Sequence, residues 1–377
     1  MPDYDLAIIG SSPLALVFAI SRHRQGQKIV ILDENPIGGA WRTAAIAPGI
    51  RVEEACHLFE YYRGGYQLIS RLSGVQFRKL KNQPRVHLEN GKEILYTSRL
   101  GIASELAKSV LNFCINYTVE KLNTVLPPSL AVFKNKRRTA QYWSEKARLT
   151  FKWRIAGILT FEGIMHPECG VSGFIEKLES TLDEKGIDRI DHRVETLKFC
   201  EGVWKLTSAS GSSLEATNLA ITDSACFRLI ELRENVHNLA KPLKTYWHIL
   251  VKINPTGFHD EFSYIHLPDN PFFHRITNLE TRDGEGWPLS LIQIRREPDE
   301  INGLELQLSK LLAKTGAMRE GTLIAIQQQF SSSHVDVATL NRSENPLAGA
   351  SNITTIPTAG DIMKSVVLNR HLFCTHD

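Results

Sequence analysis

With 377 residues, 42% of them apolar and 23% charged, the chain has the balance of a globular protein with room for two or three packed units, not that of a disordered or fibrous one. Forty-four basic against forty-one acidic residues leave a net charge of +3, too weak a field to argue for a nucleic-acid partner. Six cysteines without a C-x-x-C pair argue against a zinc site and a disulfide framework, and for a reducing, cytoplasmic compartment.

The run Asp5–Gly10 is apolar, rich in branched residues and closed by glycine, the pattern of a strand buried on both faces in a parallel sheet. Ser11, Ser12 and Pro13 then supply a cap and a first-turn proline, and Leu14, Leu16, Val17 and Ile20 recur at helical spacing as far as Arg24. Asp3 and Asp5 precede this apolar segment and no basic region does, so it reads as folded structure, not a signal peptide. No apolar run approaches the roughly 20 residues of a spanning helix, so no integral membrane segment is expected. A second strand, Lys28–Leu32, ends in Asp33, 23 positions after Gly10, about where a dinucleotide fold places the acid that accepts the adenosine ribose hydroxyls. Against the fingerprint G-x-G-x-x-G/A the chain reads Gly10-Ser11-Ser12-Pro13-Leu14-Ala15. Ser12 replaces the second glycine, where its hydroxyl either donates to a phosphate oxygen or hinders the approach of one. The dense basic run Lys134–Arg138 reads as a solvated loop.

The continuation Asp33-Glu34-Asn35-Pro36-Ile37-Gly38-Gly39-Ala40-Trp41-Arg42 resembles the segment that follows the ribose-binding acid in the superfamily of flavin amine oxidases, protoporphyrinogen oxidases, phytoene desaturases and UDP-galactopyranose mutases. The resemblance implies FAD as cofactor and an α/β fold: a Rossmann-like FAD-binding domain with a parallel sheet, and a mixed α+β substrate or cap domain containing an antiparallel sheet. Carried over residue by residue, it makes Gly10, Ser12, Pro13, Ala15, Asp33, Glu34, Gly38, Gly39 and Arg42 FAD contacts, with Trp41 beside them. Pro167–Leu178 resembles the turn that opens the next helix of that family, and Ile190–Val194 the strand whose backbone, at Val194, meets the adenine. Gly360-Asp361 resembles the family's closing Gly-Asp pair on the ribityl or phosphate oxygens, although Asp361 also suits an ordinary helix cap. By this division the FAD-binding domain takes residues 1–59, 166–242 and 346–377, and the cap takes 60–165 and 243–345.

Within the cap, Arg85–Tyr96 alternates around Asn90-Gly91 and reads as a hairpin. Leu100 to about Leu159 reads as largely helical. Thr245–Ile253, Phe262–His266, Phe272–Ile276 and Leu289–Arg295 read as successive strands of an antiparallel sheet lining a pocket. Tyr264, His266, His274, Arg275 and Arg295 are the candidates to project from it toward a small-molecule substrate, Arg275 being preferred because Phe-His-Arg-Ile resembles a family segment that brings an arginine toward substrate or flavin. Individually, each also suits a surface or packed role. The thirteen histidines show no metal-ligand spacing, and no metal and no catalytic side chain are assigned. The resemblance implies hydride transfer from an amine or C–H bond to flavin N5. Two alternatives stay open: a non-redox flavoenzyme resembling the mutase, and a flavin-fold protein without turnover that serves a protein partner. A protein partner or a homo-oligomer stays open.

Overall fold

The computed structural model describes residues 2–24, 26–41, 43–47, 50–53, 59–80, 85–87, 93–95, 110–111, 114–115, 117–118, 161–208, 210–222, 229–232, 235–238, 243–268, 270–335 and 352–356. The chain enters through β1 (Tyr4–Ile9), α1 (Pro13–Arg22) and β2 (Ile29–Asp33), passes a 3-10 turn at Gly39–Trp41, and forms β3 (Thr43–Ala47), β4 (Ile50–Glu53), β5 (Phe59–Tyr62), α2 (Arg63–Ser73) and β6 (Phe77–Lys79). Then come β7 (Arg85–His87), β8 (Glu93–Leu95), β9 (Phe161–Pro167), α3 (Gly170–Glu184), β10 (Asp188–Asp191), β11 (Val194–Cys200), β12 (Val203–Ser208), β13 (Ser213–Thr222), β14 (Leu229–Leu232) and β15 (Asn235–Asn238). The last stretch holds β16 (Leu243–Ile253), β17 (Tyr264–His266), β18 (Phe273–Arg282), β19 (Pro288–Ile294), α4 (Leu304–Lys314), β20 (Ile324–Val335) and β21 (Ile353–Ile356).

The first sheet runs β10-β2-β1-β13, all parallel, and β13 is shared along its length. Its first half pairs antiparallel with β12, and its second half, from Leu219, pairs parallel with β21. The meander β11–β12 therefore leaves the parallel sheet where β21 joins it. Alternation sorts the strand side chains between two cores. Ile8, Ile29 and Ile31 point toward the helices, while Ala7, Ile9, Val30 and Leu32 meet Trp204, Leu206 and Val194 from the meander. Helix α1 is buried from Pro13 to Ile20, which its all-round apolar sequence permits because α2 and α3 flank it.

One boundary differs from the sequence reading. The segment 63–79, assigned there to the cap, packs in the first core: Leu68, Ile69, Val75 and Phe77 join Phe59, Met165 and Phe174 beside α1. The amphipathic face of α2 needs an apolar surface to bury, and the aromatic edge contacts Phe59–Phe77 and Phe77–Phe174 provide it. The expected strand through Ile190 to Val194 is also broken. β10 pairs with β2 and stops at Asp191, and Val194 starts the next strand, already in the meander.

The second sheet runs β20-β16-β19-β18-β17-β7-β8. β7 and β8 pair antiparallel, with Arg85 opposite Leu95, as expected of a hairpin, while Asn90 and Gly91 lie outside the described residues. One face is the core under α4, built from Ile249, Val251, Ile276, Ile292, Ile294, Leu308 and Leu312. The opposite face carries Leu250, Leu289 and Leu291, against which Val52 of β4 packs. Most of the stretch 100–159 lies outside the described residues, and no described helix is long and apolar enough to cross a membrane.

His23 ends α1, its amide donating to the Ala19 carbonyl at 3.0 Å. Burial first, and Lys185 second, hold its imidazole below the ordinary value of 6.5. The folded protein thus binds fewer protons here than the unfolded chain. This contribution to stability is complete above pH 6.5 and is lost as the pH falls through the lowered native value. Urea unfolding midpoints followed down from neutral pH should therefore decline less in His23→Gln than in the parent.

Candidate functional site

Gly10 closes β1 with φ +96°, and a side chain there would bring a Cβ to 2.3 Å from Thr222 Oγ1. Glycine is thus required twice, by conformation and by the approach of β13. Ser12 occupies the position of the missing second glycine with φ −59° and ψ 153°, which any residue adopts. Its Oγ accepts from the Ala15 amide at 3.4 Å as the N-cap of α1, so the hydroxyl proton remains for a neighbouring acceptor. Pro13 stands at the first helical position and Ala15 is fully buried. The result is a capped helix N-terminus whose first-turn amides and dipole favour an anion.

Asp33 fastens this turn to the end of β2. Its Oδ2 accepts from the Ser11 amide at 2.8 Å and the Ser11 hydroxyl at 2.7 Å. Its Oδ1 accepts from the Asn35 amide at 2.9 Å and the Asn35 side chain at 3.3 Å. The Gly38 amide then donates to the Ser11 carbonyl at 3.0 Å, and the Trp41 amide to the Gly38 carbonyl at 3.0 Å. Gly38 and Gly39 have φ of +103° and +54°, so the double glycine bends back against the turn, with the Gly39 Cβ position 3.9 Å from Ser12 Cα. Trp41 is pinned by an edge contact with Phe59, ring centroids 5.2 Å apart. Residues 10–15, 33–35 and 38–41 therefore meet at the carboxyl ends of β1 and β2, the position where open parallel sheets bind ligands.

Beside Asp33 lies an open cavity of about 530 Å³, bounded by Ser11, Asn35, Ile37, Arg189 and Asp191. Arg189 is held there by Asp183 at 3.0 Å and by Glu179. Glu34 is exposed and pairs with Arg193 at 3.5 Å, a surface pair worth little by itself. The His192 amide donates to the Asp33 carbonyl at 3.1 Å, which brings the chain just before buried Val194 next to the acid. Arg42, Gly360 and Asp361 lie outside the described residues.

The second sheet brings another group together. A β-bulge sits between Phe273 and Arg275: Phe273 pairs with Ile294 and Arg275 with Gln293, so His274 is an extra residue. Such a bulge turns two consecutive side chains to one face. His274 and Arg275 accordingly both lie away from the α4 core, while Phe273 and Ile276 remain in it. Arg275 is 6% exposed and lies across from His266 and Gln293. His266 meets His274 edge-on at 5.0 Å, Tyr264 stacks on His266 at 6.3 Å, and Tyr246 stacks on His274 at 5.7 Å. On the same face fully buried His248 lies flat on Phe330, its Nε2 2.7 Å from Ser332 Oγ. Arg295 serves the turn: its Nη2 reaches the carbonyls of Leu267 at 3.4 Å and Pro268 at 3.1 Å, and lies 3.2 Å from His274 Nδ1. Because a guanidinium only donates, His274 Nδ1 accepts and Nε2 carries the ring proton.

Of the sequence-derived substrate candidates, Tyr264, His266 and Arg275 share this face with His274, and Arg295 sits at its edge. Sequence reading missed Tyr246, His248, Gln293 and Ser332. The period-2 pattern of β16 offered a signal, since Tyr246 and His248 alternate with Trp247 and Ile249 of the core. Among the described residues, no group of three His, Cys, Asp or Glu could hold a metal ion.

The whole chain superposes on solved enzymes. Putrescine oxidase bound to putrescine matches with a TM-score of 0.52 at 10% identity, covering 98% of each chain. An oxidoreductase from Methanosarcina mazei matches with 0.56 at 14% identity, covering 97% of this chain and 99% of its own. The chain shares their fold. A fatty acid isomerase from P. acnes gives 0.55 at 13% identity over 98% of each chain. At such identities the likeness is one of fold. No protein-family model and no curated protein matches the sequence.

Gly10→Ala should lower the unfolding free energy by about 3 kcal/mol, the sum of a left-handed alanine and an overpacked contact. Gly10→Ala with Thr222→Ala should recover about half of that in denaturant titrations, because the contact is relieved and the backbone strain is not. Arg295→Met removes the clamp on Leu267 and Pro268, for an expected loss of about 1 kcal/mol in the same measurement.

Proposed function

We propose that the chain binds FAD across the meeting point of residues 10–15, 33–35 and 38–41 and acts as an FAD-dependent oxidoreductase on a small organic substrate. The observation that carries this reading is the joint geometry of Gly10, Asp33 and the Gly38-Gly39 pair. Left-handed glycines and a carboxylate lock bring a capped helix N-terminus and a side-chain-free strip of backbone against one another. That donor set suits a diphosphate flanked by a ribose.

In this reading the first-turn amides of α1 and the Ser12 hydroxyl receive the diphosphate, and the glycine pair lets the backbone lie close to the diphosphate and ribityl chain. Both Asp33 oxygens already accept two bonds each. The bond from the Asn35 side chain, the longest at 3.3 Å, is the one to yield to a ribose hydroxyl. Glu34 adds negative charge at the same end, and the chain at Val194 borders the adenine. The polar face around Arg275 takes the substrate. The bound flavin supplies the hydride acceptor for an amine or other C–H bond. The shared fold with putrescine oxidase and the M. mazei oxidoreductase supports this assignment over a plain βαβ unit. A mutase-like sugar-nucleotide reading would need a second arginine beside Arg275, and Arg295 is spent on the β17–β18 turn.

The visible absorbance spectrum of the purified protein, with chromatography of whatever denaturation releases, tests the reading. A flavin spectrum and free FAD are expected. A colourless protein that takes up no added FAD defeats it and favours a flavin fold without turnover. Ser12→Ala, which removes both cap and phosphate donor, should weaken FAD uptake by about tenfold in a fluorescence titration.

A further inference from the structure

We infer that the groove between β10 and the turn joining β12 to β13 binds an adenine nucleotide with a single phosphate, at a place separate from the proposed cofactor site. Register decides where the groove lies. Asp188 and Ile190 stand opposite Val30 and Leu32, so they share the face of the sheet on which the meander packs. Arg189 and Asp191 take the other face, beside Asp33 and α3. The meander covers β2, but β10 at the edge is exposed along its length. What remains between them is an open cavity of about 600 Å³, within the size range of small-ligand sites. Leu32, Ile190 and Leu214 give it an apolar lining, with Tyr4 beside them, half-buried against the meander core.

The polar lining suits such a ligand part by part. Gln27 and His192 both border the groove, and among the described residues Gln27 Oε1 and His192 Nε2 are buried atoms without a hydrogen-bond partner, a costly state for a polar group. Adenine carries a donor and an acceptor side by side on its edge and pairs with a glutamine amide through two bonds, while its ring suits the apolar lining. Asp188 gives one carboxylate oxygen to the Tyr4 hydroxyl at 3.0 Å, and Asp3 gives one to the Glu215 amide at 2.9 Å. The second oxygen of each is left for ribose hydroxyls, the task assigned to Asp33 in the cofactor site. Lys28 also lines the groove, and among the described residues no carboxylate pairs with its ammonium, which suits a phosphate. Two carboxylates against one lysine would repel a polyphosphate, so the single phosphate is the form that fits.

The test is calorimetric titration of the FAD-saturated protein with AMP, adenosine, GMP and ATP, while bound flavin is followed in the visible spectrum. AMP should bind with one equivalent and leave the flavin in place, about tenfold more tightly than GMP and about fivefold more tightly than adenosine. Gln27→Met should weaken AMP binding by about tenfold, and Lys28→Met should bring AMP down to the affinity of adenosine. Should Gln27→Met fail to fold, Gln27→Glu decides by the same loss, because it keeps the shape and removes the amide donor. A protein that takes up no flavin defeats the cofactor reading alone, and AMP binding by the parent and these variants then judges the groove by itself. No heat with AMP, release of flavin by AMP, equal affinity for GMP, tighter binding of ATP than of AMP, or an AMP affinity unchanged in the Gln27 and Lys28 variants overturns the inference.

Discussion

The carboxylate of Asp33 is the contact on which the first half of the molecule turns. It stands at the end of β2 and holds Ser11, the first residue of the turn that follows β1, by both amide and hydroxyl. That places the start of α1 over the sheet and leaves the Ser11 carbonyl to receive the Gly38 amide. A charge-assisted bond is stronger than its neutral counterpart, and two converge here on one oxygen. Without this lock the turn, the cap and the double glycine would each be ordinary loop. With it they form one surface.

Around that surface the two sheets do different physical work. The parallel part of the first is covered by α1, α2 and α3 on one side and by the meander on the other, so β2 and the inner ends of β1 and β13 are apolar, while β10 at the edge is exposed. The second is largely antiparallel, and its central strand β19 is buried along its whole length. α4 covers one face, and the other passes from an apolar end under Val52 to a polar end around Arg275. A sheet with one face packed under a helix holds the polar groups of the other face firmly, because each projects from a strand whose neighbours fix its register.

Much of the first unit was legible from short-range patterns. Strand, turn, helix and strand followed from apolar runs punctuated by Gly10, Pro13 and Asp33, and the double glycine marked its own left-handed turn. Ser12 was the open question, and its extended backbone together with its capping role explains why a side chain is tolerated there. The segment 63–79 was misplaced because a weakly apolar amphipathic helix does not reveal which core receives its face. The break before Val194 was missed because pairing with β2, a long-range contact, decides where β10 stops.

The sequence by itself determined the local conformations: which residues turn, cap, alternate or lie buried, since these depend on the φ each residue tolerates and on the spacing of apolar side chains. It also carried the motif likeness that named FAD. Only the tertiary structure decided which of those pieces meet. Alternation along Phe273-His274-Arg275-Ile276 would separate His274 from Arg275, and pairing with β19 inserts the bulge that unites them. The same holds for Arg295, whose role at the turn depends on carbonyls 27 and 28 positions away. Register between strands is set by the summed packing of both faces, and no single stretch of chain contains that information.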